Sequence, residues 1–155
     1  NLHVTLRFLG EIAPAAVTSL AAHVRAQSEA LAPFALRLGA LASFPPVRHP
    51  RVVWLELAPV EPLAELAGAV ERGVVAAGCD PEPRPFRAHL TLGRVRERGT
   101  PPALSGLAVP PASFFVTESV LFASELHRSG SRYTPLERVP LGGAGGGRLQ
   151  HPHHP

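Results

Sequence analysis

Apolar and polar residues alternate along two short stretches of the chain, and the same four-residue pattern opens both. The patterns are His3-Val4-Thr5-Leu6 and His89-Leu90-Thr91-Leu92. In a β-strand, residues i and i+2 project from the same face. Each stretch therefore predicts a strand with a histidine and a threonine on one face and two apolar side chains turned towards a core. The first strand is expected over Leu2 to Leu9, and the second fades near Arg96.

Two helices and four further strands complete the predicted elements. Apolar residues at helical spacing predict a helix over 14–31 and another that begins at Pro62 and stops at Gly78. Runs typical of strands are Phe34 to Leu41, Arg51 to Leu57, Val116 to Leu126 and Arg132 to Leu141. Proline-rich loops are expected at 44–50, 81–85 and 101–111.

The order of these elements indicates a rough internal duplication. It is strand–helix–strand–strand followed by helix–strand–strand–strand, and each half holds one His-x-Thr strand. Mixed order of this kind predicts an α+β fold. Two similar lobes would bring their equivalent strands together across a central cleft.

Composition restricts the chemistry that this chain can perform. All 15 basic residues are arginine, and Asp80 is the only aspartate among 12 acidic residues. Without lysine there is no Walker-A lysine, no Schiff base and no lysine to carry a covalent nucleotide. With one aspartate, a carboxylate cage for Mg²⁺ is not expected. Phosphate chemistry would therefore rest on His, Thr and Arg, with neither a metal nor a cofactor.

Other features of the sequence bear on its compartment. The single cysteine, Cys79, excludes an internal disulfide and fits a reducing cytoplasm. No apolar run approaches the roughly 18–20 residues of a membrane span, and we expect no signal peptide. The net charge of +3 permits an anionic ligand without requiring one. A cytoplasmic protein without a membrane partner is the expectation.

The paired motif suits acid–base chemistry on a phosphodiester. Two such strands facing each other would supply two imidazoles that titrate near neutral pH and two hydroxyl donors. One histidine would take a proton from the attacking water or hydroxyl, and the other would protonate the departing oxygen. Thr5 and Thr91 would hold the non-bridging oxygens. The residues alone do not rank His3 and His89 as acid and base.

Four landmarks in this sequence resemble those of a known family. Asn1 to Glu11 (Asn-Leu-His-Val-Thr-Leu-Arg-Phe-Leu-Gly-Glu) resembles the first signature of the two-histidine (2H) phosphoesterases, and Arg84 to Arg94 resembles the second. Arg51 to Leu55 and Ser131 to Leu136 resemble two further landmarks in the same order. The branch of this family that the chain resembles is that of the bacterial and archaeal RNA 2′,3′-cyclic phosphodiesterases, also called 2′-5′ RNA ligases. Relatives usually carry a strand and a helix before the first signature, and we expect that element to be missing here.

The resemblance implies both a fold and a reaction. The fold is one bilobal α+β domain over residues 1–141, with two pseudo-symmetric antiparallel sheets, helices outside and a central cleft, followed by a disordered tail over 142–155. The reaction opens a 2′,3′-cyclic phosphate at an RNA end to a 2′-phosphate and a free 3′-hydroxyl, and a related transesterification, run in reverse, joins RNA ends through a 2′-5′ linkage without ATP. By analogy, His3 is the proton donor to the leaving 3′-oxygen and His89 is the proton acceptor that activates water. The expected partner of this metal-free monomer is such an RNA end.

Further side chains are expected near the substrate. Phe8 and Arg94 lie five residues past each motif histidine, where the family contributes base stacking and phosphate contact. Strict alternation puts both on the face opposite the histidines, so a bulge or a strand end is needed. Tyr133 either lines the cleft or is buried with one hydrogen bond, and Arg7 either reaches phosphate or points into solvent. Trp54 is expected in the core.

Two alternative functions stay open. One is a related cyclic-nucleotide or ADP-ribose cyclic-phosphate hydrolase that uses the same residues, and the other is an RNA-end-binding module with little turnover. Substitution of His3 and His89 discriminates, because an enzyme loses turnover while a binding module has none to lose. The remaining histidines show no zinc spacing with cysteines; they are His23, His49, His127, His151, His153 and His154.

Overall fold

The chain forms two helices and six strands in the part that its computed structural model describes, residues 2–45, 49–96, 99–100 and 103–142. A 3-10 turn at Pro14–Ala16 leads into helix α1 (Val17–Ser28), and helix α2 spans Val60–Ala76. The strands are β1 (Phe34–Phe44), β2 (Val52–Ala58), β3 (His89–Arg94), β4 (Ser113–Val116), β5 (Glu118–His127) and β6 (Gly130–Pro140). The predicted α+β class is confirmed.

The strands form two antiparallel sheets. The larger sheet has the order β3-β2-β1-β4, and the smaller is the β5–β6 hairpin. Leu55 of β2 pairs with Leu90 of β3 and with Leu41 of β1, and directly paired residues share a face. These leucines therefore lie on the apolar face of the larger sheet. We call its opposite side the open face, defined by Val52, Trp54, Glu56 and Ala58 of β2 and their partners on neighbouring strands.

Helix α2 contributes to two apolar clusters. One cluster joins α1, α2 and the end of β6; its buried members are Leu20, Ala21, Val24, Leu66, Val70, Val74, Val139 and Leu141. The other covers the apolar face of the larger sheet and contains Leu36, Leu55, Leu57, Leu63 and Leu90. Gly73 lets the helices approach closely, because a Cβ there would lie 2.6 Å from the Cα of Val24. Leu6 packs against both clusters, so the first histidine segment crosses their junction.

The second helix and the closing hairpin confirm their sequence signals. Gly78 follows α2 with φ of +103°, a left-handed conformation that glycine adopts without a Cβ clash. Across this turn the N–H of Cys79 donates to the carbonyl oxygen of Val74. The hairpin turns at Arg128 and Ser129, and β6 begins at Gly130, which has φ of +124°.

Two predictions about strands were wrong. Leu2 to Leu9 is assigned no strand, because a strand requires a ladder of backbone bonds and no described strand is in register with this segment. The strand predicted over Val116 to Leu126 is two strands that belong to different sheets. Its first residue ends β4 in the larger sheet, the chain leaves the ladder at Thr117, and β5 begins the smaller sheet.

Some predictions fall on residues outside the described ranges. These are the tail beyond residue 142, including His151, His153 and His154, part of the loop at 44–50 and the start of the loop at 101–111. Within the described part, no helix is both long enough and apolar enough to cross a membrane.

Candidate active site

Strand β3 places His89 and Thr91 together on the open face. His89 pairs with Glu56 and Thr91 pairs with Trp54. Between them Leu90 points the other way and is 7% exposed in the core. The predicted alternation is confirmed for these three residues. It holds because β3 is a hydrogen-bonded strand whose buried leucine, Leu90, anchors the correct register.

A backbone hydrogen bond fixes the tautomer of His89. Its Nδ1 lies 2.7 Å from the carbonyl oxygen of Arg87. A carbonyl oxygen only accepts, so Nδ1 carries the proton and donates it. The other ring nitrogen, Nε2, is then an acceptor in the neutral imidazole. This arrangement suits a general base.

A β-bulge brings Arg94 to the side of the sheet that carries His89. Trp54 pairs with Thr91 but the next pair is Val53 with Gly93, so Leu92 is an extra residue in β3. Beyond the bulge Arg94 pairs with Val52, and Val52 shares the open face with Trp54. Arg94 therefore lies on the open face, as the hypothesis of a bulge requires.

The same bulge overturns the prediction for Leu92. This side chain was expected to turn towards the core beside Leu90, yet it is 42% exposed. The extra residue interrupts the alternation at this position, so the spacing from Leu90 no longer sets its face.

The first histidine lies in a different local structure. Val4 and Leu6 pack against the core clusters as predicted, although their segment does not form a β-strand. The ring of His3 lies against that of Tyr133 on β6, with centroids 4.6 Å apart in an edge-to-face arrangement. Tyr133 is 36% exposed, so it is not the fully buried tyrosine of the alternative expectation.

Arg7 ties the first histidine segment to helix α2 and to the loop before β3. Its Nε donates to Glu71 Oε2 at 2.6 Å, its Nη1 to the carbonyl oxygen of Phe8 at 2.8 Å, and its Nη2 to that of Asp80. Glu82 completes an ion pair at 3.6 Å. We call these residues, Arg7, Glu71, Asp80 and Glu82, the arginine clamp.

The clamp gives Arg7 a role other than the expected ones. Its side chain is 12% exposed, and each guanidinium nitrogen has a protein acceptor or counter-charge. It therefore neither points into solvent nor offers a free edge to phosphate, and the contacts that prevent this are those with Glu71 and the two carbonyl oxygens.

The clamp also perturbs the acids within it. Burial opposes ionisation of Glu71, but the N–H of Glu82 and the Arg7 guanidinium outweigh it, so the pKa of Glu71 lies below its usual value. Hydrogen bonds from Arg84 lower the pKa of Glu82. Both carboxylates therefore stay ionised at neutral pH and hold the guanidinium.

Two aromatic side chains depart from simple sequence expectations. Trp54 is not in the core: it lies on the open face with its ring 5.8 Å from that of His89 in an edge-to-face contact. The prediction failed because Trp54 is next to the buried Leu55 in β2, and adjacent residues of a strand point to opposite faces. Phe8 is 71% exposed, which leaves its ring accessible to a ligand.

Two histidines outside the motifs, His23 and His127, lie in ordinary surface contacts. His23 Nδ1 lies 2.8 Å from the Ser19 carbonyl oxygen within α1, and His127 pairs with Glu125 on β5. In the described part of the chain, no three His, Cys, Asp or Glu side chains converge as a set of metal ligands.

Comparison with known proteins assigns the chain to a family. The profile of the 2′-5′ RNA ligase superfamily matches residues 1–128. The chain belongs to this superfamily. It is 35% identical over 149 residues to the RNA 2′,3′-cyclic phosphodiesterase of Escherichia coli (strain K12), covering 91% of this chain and 76% of that relative.

One further relative and one solved structure extend the comparison. Over 151 residues the chain is 31% identical to the RNA 2′,3′-cyclic phosphodiesterase of Geobacillus stearothermophilus; the match covers 96% of this chain but 48% of that relative, about half its length. The crystal structure of E. coli LigT complexed with 3′-AMP matches with a TM-score of 0.66 and 33% identity, covering 91% of this chain and 77% of that one. The predicted family and fold class are confirmed.

Sequence reasoning missed two neighbours of the superfamily motifs. Glu56 lies directly across from His89, and the clamp joins Arg7 to Glu71. The first follows once the register of β2 and β3 is known. The second had a partial signal, since Glu71 is a charged residue beside the inner stripe of the second predicted helix, but its partner is 64 residues away.

Proposed function

We propose that this chain is an RNA 2′,3′-cyclic phosphodiesterase that uses its two motif histidines as general acid and general base. One observation carries the proposal: each motif histidine lies against an aromatic ring, Tyr133 for His3 and Trp54 for His89, and these two rings belong to different sheets. The names of the relatives, RNA 2′,3′-cyclic phosphodiesterases, support the same reaction. One histidine beside the smaller sheet and the other on the larger sheet fit a substrate held between the two sheets.

In the proposed reaction, water attacks phosphorus in line with the departing 3′-oxygen. His89 takes a proton from water, the new P–O bond forms, the bond to the 3′-oxygen breaks, and His3 protonates that oxygen. The products are a 2′-phosphate and a 3′-hydroxyl. The Nδ1–H bond to the Arg87 carbonyl supports His89 as the base, because it leaves Nε2 as the acceptor. In the corresponding 2′-5′ ligation, a 5′-hydroxyl attacks phosphorus in place of water, and the bond to the 3′-oxygen breaks as it does in hydrolysis.

The threonines and the substrate-binding side chains fill the remaining roles. Thr5 and Thr91 donate hydrogen bonds to the non-bridging oxygens, where charge accumulates in the transition state. Arg94 contacts phosphate, which its place beside Thr91 on the open face supports. Phe8 stacks on the terminal base, and Tyr133 borders the site. For Arg7 we propose a positioning role through the clamp in place of a phosphate contact.

Several broader expectations accompany this proposal. Residues 1–141 act as one bilobal domain and as a monomer, and the substrate is an RNA end with a cyclic phosphate. A chain with no lysine and one aspartate supports catalysis that needs no metal and no cofactor. The single cysteine supports a cytoplasmic location.

The test is product analysis by phosphorus NMR. The chain is incubated in excess EDTA with an oligoribonucleotide that ends in a 2′,3′-cyclic phosphate, and a 2′-phosphate is expected. His3→Ala and His89→Ala should each lower the rate by about 10²–10⁴-fold, while RNA-end binding weakens only modestly. His23→Ala, on the exposed side of α1, is the matched control and should keep the wild-type rate.

Three results would contradict the proposal. Equal hydrolysis by the wild type and both variants rules out catalysis by the motif histidines. Binding without hydrolysis favours the RNA-end-binding module. Hydrolysis of cyclic mononucleotides or ADP-ribose cyclic phosphate, with none of RNA, favours the related hydrolase.

A further inference from the structure

The open face carries an exposed aromatic side chain that the proposed reaction does not use. Phe44 is the last residue of β1 and pairs with Val52 of β2, which places it on the open face with Trp54. Its side chain is 67% exposed. Its ring therefore shares a face with the proposed base and is accessible to a ligand that binds there.

Phe44, Trp54 and His89 lie on one diagonal of the sheet. Trp54 pairs with Ala42, so Phe44 is its diagonal neighbour on one side. Glu56 pairs with His89, so His89 is the diagonal neighbour of Trp54 on the other side. Diagonal neighbours of this kind are about 7–8 Å apart. The three rings therefore form a line that starts at the proposed base and runs away from it across the sheet.

The Phe44 end of this line is basic. Arg94 lies in the same row, two strands away, with Val52 between. Arg51 donates its backbone N–H to the carbonyl oxygen of Phe44, and its guanidinium reaches the carbonyl oxygen of Arg96 at 3.3 Å. Arg94 thus lies on the open face in the row where the diagonal ends, with the Arg51 side chain nearby, while the carboxylate of the face, Glu56, stands at the His89 end. Aromatic rings followed by arginines are the pattern by which proteins bind bases and phosphates of single-stranded RNA.

We propose that Phe44 and Trp54 form a stacking platform for the nucleotide next to the cyclic-phosphate end. The platform makes the site select RNA of two or more nucleotides over a 2′,3′-cyclic mononucleotide. This inference rests on the proposed function, since it extends the same site. A single-stranded RNA fits because its bases stack on aromatic rings whatever the RNA sequence, while its backbone follows the arginines.

The experiment compares two substrates of different length. One is a diadenylate that ends in a 2′,3′-cyclic phosphate, and the other is 2′,3′-cyclic AMP. Phe44→Ala should lower kcat/KM for the dinucleotide by about 5- to 100-fold, the usual scale for losing one base–aromatic stack. It should change kcat/KM for the mononucleotide less than twofold, and Phe44→Trp should restore the dinucleotide preference.

Phe115→Ala is the matched control. Phe115 pairs with Ala35 and is 74% exposed on the same open face, but strand spacing places it about 20 Å from His89. Phe115→Ala should leave kcat/KM for both substrates unchanged. An equal loss on both substrates, or no loss on the dinucleotide, overturns the platform while the proposed function stands. If the wild type hydrolyses neither substrate, the proposed function is overturned and the platform with it.

Discussion

The two histidines belong to the same four-residue pattern but are held by different means. His89 lies in a strand whose backbone pairs with β2 as far as Arg94, and its ring is bonded to the chain two residues earlier. His3 lies in a segment without strand assignment, against the ring of Tyr133. One histidine is positioned by a backbone ladder, and the other by side-chain contacts that end in the arginine clamp.

This difference sets what a substitution can do. A ladder spreads its restraint over backbone bonds that no side-chain change removes. The clamp concentrates restraint in Arg7, which contacts α2 through Glu71 and the loop before β3 through Asp80. The first segment should therefore lose its position without loss of the fold, whereas the second should hold its position until the fold is lost.

The largest effect should come from the apolar anchors of the two motifs. Leu90→Ala empties a site that is 7% exposed and should lower the free energy of unfolding by about 2–5 kcal/mol. Val4→Ala should cost about 1 kcal/mol, because Val4 is only half-buried and each fully buried methylene contributes about 0.8 kcal/mol. Urea denaturation measures both. Equal losses would mean that the two segments share one kind of anchoring.

Breaking the clamp should have the next largest effect. Arg7→Ala leaves Glu71 without its guanidinium, and since Glu71 is 31% exposed the expected loss is about 1–2 kcal/mol in unfolding free energy. The sharper readout is proton NMR of the two imidazoles. His3 should lose the ring-current shift that Tyr133 induces, while His89 keeps the shift from Trp54.

Two further variants control the clamp experiment. Arg84→Ala removes an ion pair to Glu82 whose arginine is 82% exposed, and it should leave both imidazole signals in place. Arg7→Lys keeps the charge but loses the planar set of guanidinium donors. Compared with Arg7→Ala, it should recover more of the unfolding free energy than of the His3 ring-current shift. Loss of both ring-current shifts in Arg7→Ala would indicate general loosening and contradict a local clamp.

The alternation of apolar and polar residues predicted the faces of some of these side chains but not of others. Alternation placed His89, Thr91 and Leu90 on their correct faces, because period two is a local property of a strand. Alternation could not place Leu92, since a bulge depends on the partner strand. The strand predicted at Leu2 to Leu9 failed for a related reason: the pattern was present, but a ladder needs a neighbour in register.

The misplacement of Trp54 and Arg7 has a different physical origin. Hydrophobicity alone assigned Trp54 to the core, yet its position between Val53 and Leu55 puts it on the face opposite the buried leucines. The partners of Arg7 come from residues 64 and 73 positions away, and such contacts follow from the packing of α2. Local pattern thus predicted the motif, and tertiary contacts determined how each copy is held.

A smaller effect should appear as the clamp is titrated. The folded pKa of Glu71 lies below its ordinary value of 4.5, so near pH 4 the folded chain binds fewer protons at this site than the unfolded chain. The stability that ionised Glu71 contributes is therefore present above that pH and lost as pH falls through the folded pKa. The difference in unfolding free energy between wild type and Glu71→Gln should shrink in acid. Glu65→Gln, exposed on the same helix, is the control and should show no such convergence.

The smallest effect should distinguish the two aromatic contacts. Tyr133→Leu removes the edge-to-face contact with His3 and should lower kcat/KM on 2′,3′-cyclic AMP by about 2- to 10-fold, the range expected for such a ring pair. Trp54→Leu should lower it less than twofold, because His89 keeps its ladder and its bond to the Arg87 carbonyl. Tyr133→Phe, which keeps the ring, should match the wild type. A larger loss for Trp54→Leu than for Tyr133→Leu would mean that the ladder does not position His89, since the histidine with backbone support would then be the more dependent on its aromatic neighbour.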